Sequence, residues 1–335
     1  METNSDYSPI PWARPGWLEE AGAWIHATLE RQGLAVTGPI EQPHVRPWST
    51  VLRVPTDAGD VYFKATSPAL AHEPALTEAL ASWRPDCIPP LLAVDAARGW
   101  MLMPDLSPTL RVLVRADRDL RRWEQVLATY AGLQIDMVGR RDELLALGAL
   151  DRRLSTLPER FERLVDDPAA MQLDREDNLT SAQHAQLREM GPRVAAMCER
   201  LAGYGIPETL HHDDFHDGNV FARGGRYLLF DWGESCVAHP FFTMTVTLRS
   251  IAYFMELDEQ GPEIGRLRDV YLEPWTRFAP RARLLEAFPL ARRLGMFNRA
   301  LTWHHVVSSL PEGPEKEEQA DAVPGWMQEF LLADG

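Results

Sequence analysis

The chain has 335 residues, with 34 basic against 49 acidic side chains and a net charge of −15. That length exceeds one small core and suits two lobes or domains, and 45% apolar with 25% charged residues is an ordinary soluble composition. The acidic balance argues against a general binder of nucleic acid or anionic membrane, which needs a basic face, and fits a solubilising surface.

In chain order, the opening METNSDYSPIPWARPGW is polar and proline-rich, so no secretory signal is expected. Trp17, Ala21, Trp24, Ile25 and Leu29 then recur at helical spacing and predict a helix over Pro15 to Gly33. From Ile40 to Ala65 the texture is β-rich. Two runs are separated by Pro55 to Asp60, which predicts a hairpin with a moderately long loop. A helix is expected over Glu73 to Trp83, then two strands at Leu91–Val94 and Trp100–Met103. Pro104-Asp105-Leu106-Ser107-Pro108 reads as a linker. Beyond it the pattern is mostly helical. One amphipathic face runs from Trp123 to Met137, and one apolar seam from Leu187 to Leu201. A short hairpin, Val220–Ala222 with Tyr227–Phe230, interrupts the helices, and Pro311 to Pro324 reads as a charged loop. The fold class expected is α+β. A small antiparallel-sheet lobe (1–103) and a larger helical lobe (109–335) are joined by a hinge at 104–108. No run of about 18 apolar residues occurs, so no membrane span is expected. Cys87, Cys198 and Cys236 are distant and odd in number. They fit a reducing cytoplasm, and neither a disulfide framework nor a zinc cage.

Of the 34 basic residues, 32 are arginine and two are lysine. Lys316 lies in an acidic stretch, whereas Lys64 lies inside the apolar run DVYFKAT. A chain so committed to arginine keeps a compact ammonium in one half-buried place, which a planar guanidinium cannot imitate. A snorkelling strand lysine is the plainer reading.

The segment Leu210 to Asn219 packs three histidines and three aspartates between apolar strands, and Asp231 follows the second strand of the hairpin. Three chemistries use such a cluster. A facial triad for non-haem iron, His212-x-Asp214 with His239, needs a β-barrel platform that the helical surroundings do not provide. A metal phosphohydrolase needs further histidines on earlier helices, where only His184 stands. Phosphoryl transfer needs a carboxylate for the acceptor hydroxyl, then an amide oxygen and a second carboxylate for magnesium. Asp214, Asn219 and Asp231 come in that order.

His212-x-Asp214-x-x-x-x-Asn219 followed by Asp231-Trp232-Gly233 resembles the catalytic loop and metal motif of the aminoglycoside phosphotransferase family. That family is a branch of the protein-kinase-like two-lobe fold that phosphorylates small molecules. The resemblance spans about residues 40–260, and more loosely the C-terminal helices. It implies ATP and Mg2+ as cofactors, Asp214 as catalytic residue, and Asn219 and Asp231 as metal ligands. Lys64 would pair the α/β-phosphates, held by Glu73 with Glu78 as fallback. Met101 to Leu106 resembles the adenine hinge, with Met103, Pro104 and Leu106 as its contacts. The usual Gly-rich phosphate loop is missing, and Ser49 and Thr50 in Arg46–Thr50 would cap a phosphate instead, with Trp48 read as core. Asp213 stands where the family usually has glycine, and the spacing to Asn219 favours Asp214 as the base. His212 is expected to bond backbone around the metal turn, and His211 and His216 to pack the loop or wall the acceptor. Asp213, Asp217 and Glu234 are candidate acceptor contacts, and Trp303-His304-His305 a candidate pocket wall. No Ala-Pro-Glu-like signature follows Asp231, which favours a small-molecule hydroxyl acceptor such as an aminoglycoside, an amino sugar or a choline-like amine. A non-catalytic nucleotide-binding protein and a metal-dependent phosphohydrolase stay open as alternatives.

Overall fold

A computed structural model describes residues 10–173 and 178–333, so residues 1–9 of the polar N-terminal stretch lie outside the described residues. The first part holds α1 (Trp17–Arg31), β1 (Glu41–Val45), β2 (Ser49–Thr56), β3 (Gly59–Thr66), α2 (Glu73–Trp83), β4 (Ala93–Asp95) and β5 (Trp100–Pro104). The five strands form an antiparallel sheet in the order β1-β2-β3-β5-β4. The hairpin turn is shorter than the sequence predicts. Pro55 and Thr56 stay in β2, paired with Asp60 and Gly59, and the Thr56 hydroxyl closes the turn by donating to the Gly59 carbonyl. Gly59 at φ +112° supplies the backbone conformation that so tight a turn requires.

Strand alternation gives the sheet two different faces. Leu52, Val54, Val61, Phe63 and Ala65 pack with Trp100 and Leu102 against Trp17, Ala21, Ile25 and Leu29 of α1. The intervening residues Val51, Tyr62 and Lys64 face the other way. Directly opposite residues share a face, so Met101 and Met103 join them across β5. That second face overlooks the helical part of the chain.

The helical part comprises α3 (Leu110–Asp117), α4 (Arg121–Met137), α5 (Arg141–Ala146), β6 (Leu150–Asp151), α6 (Leu157–Val165), α7 (Pro168–Met171), α8 (Ser181–Glu189), α9 (Gly191–Ala202), β7 (Thr209–His212), β8 (Val220–Arg223), β9 (Arg226–Leu229), β10 (Ser235–Ala238), α10 (Met244–Met255), α11 (Pro262–Leu272), α12 (Arg281–Ser308), α13 (Pro314–Glu318) and α14 (Ala322–Leu332). The expected seam from Leu187 to Leu201 is buried but breaks into α8 and α9 at Gly191-Pro192, where proline removes a backbone donor. The expected loop 311–324 contains α13. β10 was not foreseen. It pairs antiparallel with β7 and parallel with β6, making a small sheet beneath the cluster of histidines and aspartates. Among the described residues no helix is long and apolar enough to cross a membrane.

Two helices fix β7 in place. Gln134 of α4 donates to the Leu210 carbonyl (2.9 Å), and its own carbonyl accepts from the Thr209 hydroxyl (2.6 Å). The Tyr130 hydroxyl accepts from the His212 amide (3.0 Å), and its ring stacks on Phe215 at 4.3 Å. The long α12 is buried along much of its length and brings Asn298 and Arg299 against the end of β7. At Gly295 this helix touches Thr245 and Phe242 with no room for a side chain. A Cβ there would sit 2.3 Å from the Thr245 hydroxyl oxygen and 3.1 Å from the Phe242 carbonyl oxygen. Gly295→Ala is therefore expected to lose about 1–3 kcal/mol of stability by overpacking, despite alanine's better helix propensity. Urea unfolding should read this as a lower midpoint at unchanged slope.

Candidate active site

The cleft between the sheet and the helices is centred on the Lys64 ammonium. It lies 2.7 Å from Glu73 Oε1 of α2 and also contacts Asp231 Oδ1, from the segment after β9. Burial pushes the ammonium toward neutrality, but the two carboxylates outweigh it and hold its pKa above the ordinary value. Burial raises Glu73 to about 7, against the pull of Lys64, whereas in Asp231 the pull of Lys64 overcomes burial and lowers the pKa. Glu78, the fallback, is exposed on the far side of α2. Glu73 also packs on Gly233, where a Cβ would come 3.1 Å from Glu73 Oε2, so the Asp231-Trp232-Gly233 turn and α2 meet closely. Asp231 has φ +66°, a left-handed conformation that a short polar side chain tolerates better than most.

Beside Lys64 lies an apolar slot of about 250 Å³, lined by Val51, Tyr62, Met103, Leu106, Phe221 and Phe230 among others. Its walls come from both parts of the chain, and its lining is mostly apolar and aromatic. Met103, Pro104 and Leu106 line it. Tyr62, Phe221 and Phe230 do so as well and were not singled out from the sequence.

The loop after β7 is held from several sides. His212 Nε2 bonds the Phe230 carbonyl (2.9 Å), and its Nδ1 accepts from the Asp214 amide (3.3 Å). The first contact needs a protonated Nε2 and the second a bare Nδ1, so the neutral tautomer is fixed. Burial accordingly depresses the His212 pKa to about 4. Its ring links the loop to the residue preceding Asp231. The Asn219 side-chain nitrogen donates to the Asp214 carbonyl (2.9 Å), and the Asn219 carbonyl accepts from the Phe230 amide (3.0 Å). Asp214 and Asp231 line one small cavity of about 40 Å³ with Lys64, Ser49, Trp48, Leu70 and Glu234.

Ser49 thus reaches the cavity. The Thr50 hydroxyl does not: it donates to the His44 carbonyl (2.8 Å) and accepts from Gln42, fastening β2 to β1. Asp213 turns into the protein, where Oδ1 meets His211 Nε2 at 2.8 Å and the carboxylate is 2% exposed. His211 in turn bonds the Thr243 hydroxyl at 2.6 Å. Asp217 is equally buried and accepts from Arg111 (2.8 Å). Both carboxylates are buried and paired with groups of the protein. His216 takes the Gly218 amide on Nδ1 (2.9 Å) and faces Asp214 Oδ2 with Nε2 (3.3 Å).

Arg299 of α12 was not foreseen at all. Its guanidinium contacts Glu234 Oε2, lies 3.1 Å from Asp214 Oδ1 and 3.8 Å from Asp213 Oδ2, and is 7% exposed. Burial penalises the ionised Asp214, but Arg299 and His216 outweigh it and keep the carboxyl well below the usual range. Glu234 goes the other way: burial and the neighbouring aspartates lift it to about 7 despite Arg299.

A divalent cation fits this donor set. Asn219 spends its amide nitrogen on the loop, which leaves a hard amide oxygen, and Asp231 adds a carboxylate. Among the described residues no group of three or more His, Cys, Asp or Glu side chains is arranged to hold a metal alone. An ion here needs ligands from a bound molecule, which is how magnesium commonly binds with phosphate oxygens.

A family model described as "Phosphotransferase enzyme family" matches residues 104–283, over half the chain. No curated protein sequence matches. Solved structures similar along the whole chain include a choline/ethanolamine kinase family protein from Mesorhizobium loti (16% identity, TM-score 0.60, 94% of this chain and 95% of that one). An amicoumacin kinase in complex with AMP-PNP, Ca2+ and Ami is 12% identical, with TM-score 0.55 over 93% of this chain and 95% of that one. A spectinomycin phosphotransferase in complex with ADP and spectinomycin is 14% identical, with TM-score 0.52 over 93% and 97%. These likenesses establish the protein-kinase-like two-lobe fold.

The tautomer lock on His212 has a pH signature. The folded pKa lies below that of the unfolded chain, so its stabilisation is complete above pH 6.5 and declines as pH falls toward 4. Between pH 6.5 and 5 this one residue should cost about 2 kcal/mol of stability. In urea titrations at the two pH values, His212→Asn should be less stable at neutral pH but lose about that much less on acidification.

Proposed function

Because the chain belongs to the phosphotransferase enzyme family, we propose that it transfers the terminal phosphoryl group of ATP, with Mg2+, to a hydroxyl of a small molecule. The observation that carries this reading is the single Lys64 ammonium held by Glu73 and Asp231 in the same cavity as Asp214. The slot beside it is apolar, with Tyr62 and Phe230 on its walls, a lining that suits a purine.

The roles follow from the chemistry of each group. Lys64 offers a fixed positive point to phosphate oxygens, and Glu73 keeps that point from swinging away. Asn219 and Asp231 would hold the cation, and Ser49 lies where a hydroxyl can cap a phosphate. The bound cation supplies charge neutralisation on the transferring group. Asp214 orients the acceptor hydroxyl. As the new oxygen–phosphorus bond forms and the bond to the nucleoside diphosphate breaks, the hydroxyl proton passes to its carboxylate. Phosphoryl transfer proceeds through a loose transition state, so the proton leaves late and a strongly basic group is not needed. An Asp214 held ionised by Arg299 and His216 meets that requirement at neutral pH.

An acceptor screen with labelled ATP over aminoglycosides, amino sugars, choline-like amines and hydroxy amino acids tests the reading. Transfer to none of them, with phosphoester cleavage that needs no nucleotide, would instead identify a phosphohydrolase. With an acceptor in hand, Asp214→Asn should lower kcat by about 10²-fold or more, while calorimetry finds nucleotide affinity nearly unchanged. Lys64→Arg should preserve the circular dichroism spectrum and melting behaviour but strongly reduce turnover, because a planar fork cannot occupy a point between two carboxylates and a phosphate. Full activity in that variant would exclude the phosphate role of Lys64.

A further inference from the structure

The Asp214 carboxylate has a neighbour on each side. Arg299 stands 3.1 Å from Oδ1, and His216 Nε2 stands 3.3 Å from Oδ2. Contacts of this kind are often long until substrate tightens a site. The backbone that carries the imidazole is fixed. The Phe215 carbonyl accepts from the Thr247 hydroxyl (2.9 Å), and the His216 carbonyl accepts from the Asn219 amide (3.0 Å). The far side of the ring is fixed as well. Nδ1 accepts from the Gly218 amide at 2.9 Å, and the Arg111 guanidinium of α3 lies 3.3 Å from it. Arg111 is itself held by the buried Asp217 (2.8 Å). Gly218 leaves the room for this convergence, because a Cβ there would come 2.8 Å from His216 Cε1 and 3.0 Å from Arg111 Nη2.

Two donors at Nδ1 decide where the ring proton sits. Nδ1 is bare, so Nε2 carries the hydrogen and points it at Asp214. Burial lowers the ring's pKa and Asp214 more than offsets that. Yet a second proton would have to sit on Nδ1, against the Gly218 amide and the Arg111 guanidinium. A nitrogen that already holds its proton cannot take one from an acceptor hydroxyl, so His216 is unsuited to be the base although it lies beside it. What it supplies is a directed donor. With Arg299 on one oxygen and His216 on the other, rotation of the Asp214 carboxylate would break both contacts. The lone pair that meets the acceptor hydroxyl is thereby kept aimed.

Resting on the phosphotransferase reading above, we propose that His216 is a positioning residue for Asp214, with its tautomer set by Gly218 and Arg111. Two amide side chains separate the tasks of the two ring nitrogens. His216→Asn keeps an acceptor where Nδ1 stands, which still caps the Gly218 amide, but loses the donor to Asp214. His216→Gln places an amide nitrogen near Nε2 and lacks the acceptor at Nδ1. Turnover is read as labelled phosphate released from ATP with Mg2+, water serving as the hydroxyl, so no acceptor need be known. His216→Asn should lower kcat about ten-fold, the size of one hydrogen bond to a charged group, with KM for ATP unchanged. His216→Gln should recover most of that loss. Added to Asp214→Asn, the His216→Asn change should cost little more, because its effect passes through Asp214. A purely structural cap predicts the reverse order, with Asn better than Gln, and a general base predicts that both fail alike. Either result overturns the proposal, and so does full additivity. Where hydrolysis is too slow to follow or a variant folds poorly, 15N NMR of the wild-type imidazole decides. A bare Nδ1 with a protonated Nε2 at neutral pH supports the assignment, and a proton on Nδ1 overturns it. Calorimetry with a non-hydrolysable ATP analogue and Mg2+ runs beside these assays. Absence of nucleotide binding defeats the phosphotransferase reading itself, whereas bound nucleotide with a fully active His216→Asn enzyme defeats only the positioning role.

Discussion

One ammonium ion between two carboxylates joins the halves of this molecule. Lys64 comes from the sheet, Glu73 from the helix packed beside it, and Asp231 from the turn after the hairpin of the helical lobe. Removing the cation would leave a buried Glu73 and a partly buried Asp231 without compensation, and loss of one partner from a buried pair costs about 3–5 kcal/mol. The packing of Gly233 under Glu73, the left-handed backbone at Asp231 and the close approach of α2 are all arranged so that these three groups can meet.

A second cation organises the opposite wall. Arg299 gathers Glu234 and Asp214 and approaches Asp213, so the loop after β7 is braced by a helix about eighty residues later in the chain. The two devices differ in kind. Lys64 is a compact point charge pinned between two carboxylates, whereas the planar guanidinium of Arg299 is suited to hold several oxygens at once.

Much of this was legible because it is local. The spacing from His212 to Asn219 is short, the hairpin to Asp231 is short, and a lone lysine inside an apolar strand is conspicuous in a chain with 32 arginines. The helix Glu73–Trp83 was legible for the same reason, from its own periodicity. Arg299 was not, since in a sequence so rich in arginine nothing marks one helical arginine as buried, and its partners are set by where α12 packs. Tyr62 looked like an ordinary strand residue until the register showed the face it shares with Lys64, and Phe230, just beyond β9, reaches the same slot only because the hairpin packs beneath the sheet. β10 was missed because four buried residues beside a turn carry no alternation to read. The inward turn of Asp213 and Asp217 depends on His211 and Arg111, contacts that spacing alone cannot supply.

The scarcity of lysine has a practical consequence. An amine-directed acylating reagent finds only two lysine side chains, Lys316 on an acidic surface helix and Lys64 in the cleft. Acylation needs the free amine, and the Lys64 ammonium is held protonated and walled in by its two carboxylates. Each modification at that position therefore records a moment when Lys64 is free of its carboxylates. The protein carries its own built-in footprinting probe for that release, readable by mass on a nearly blank background.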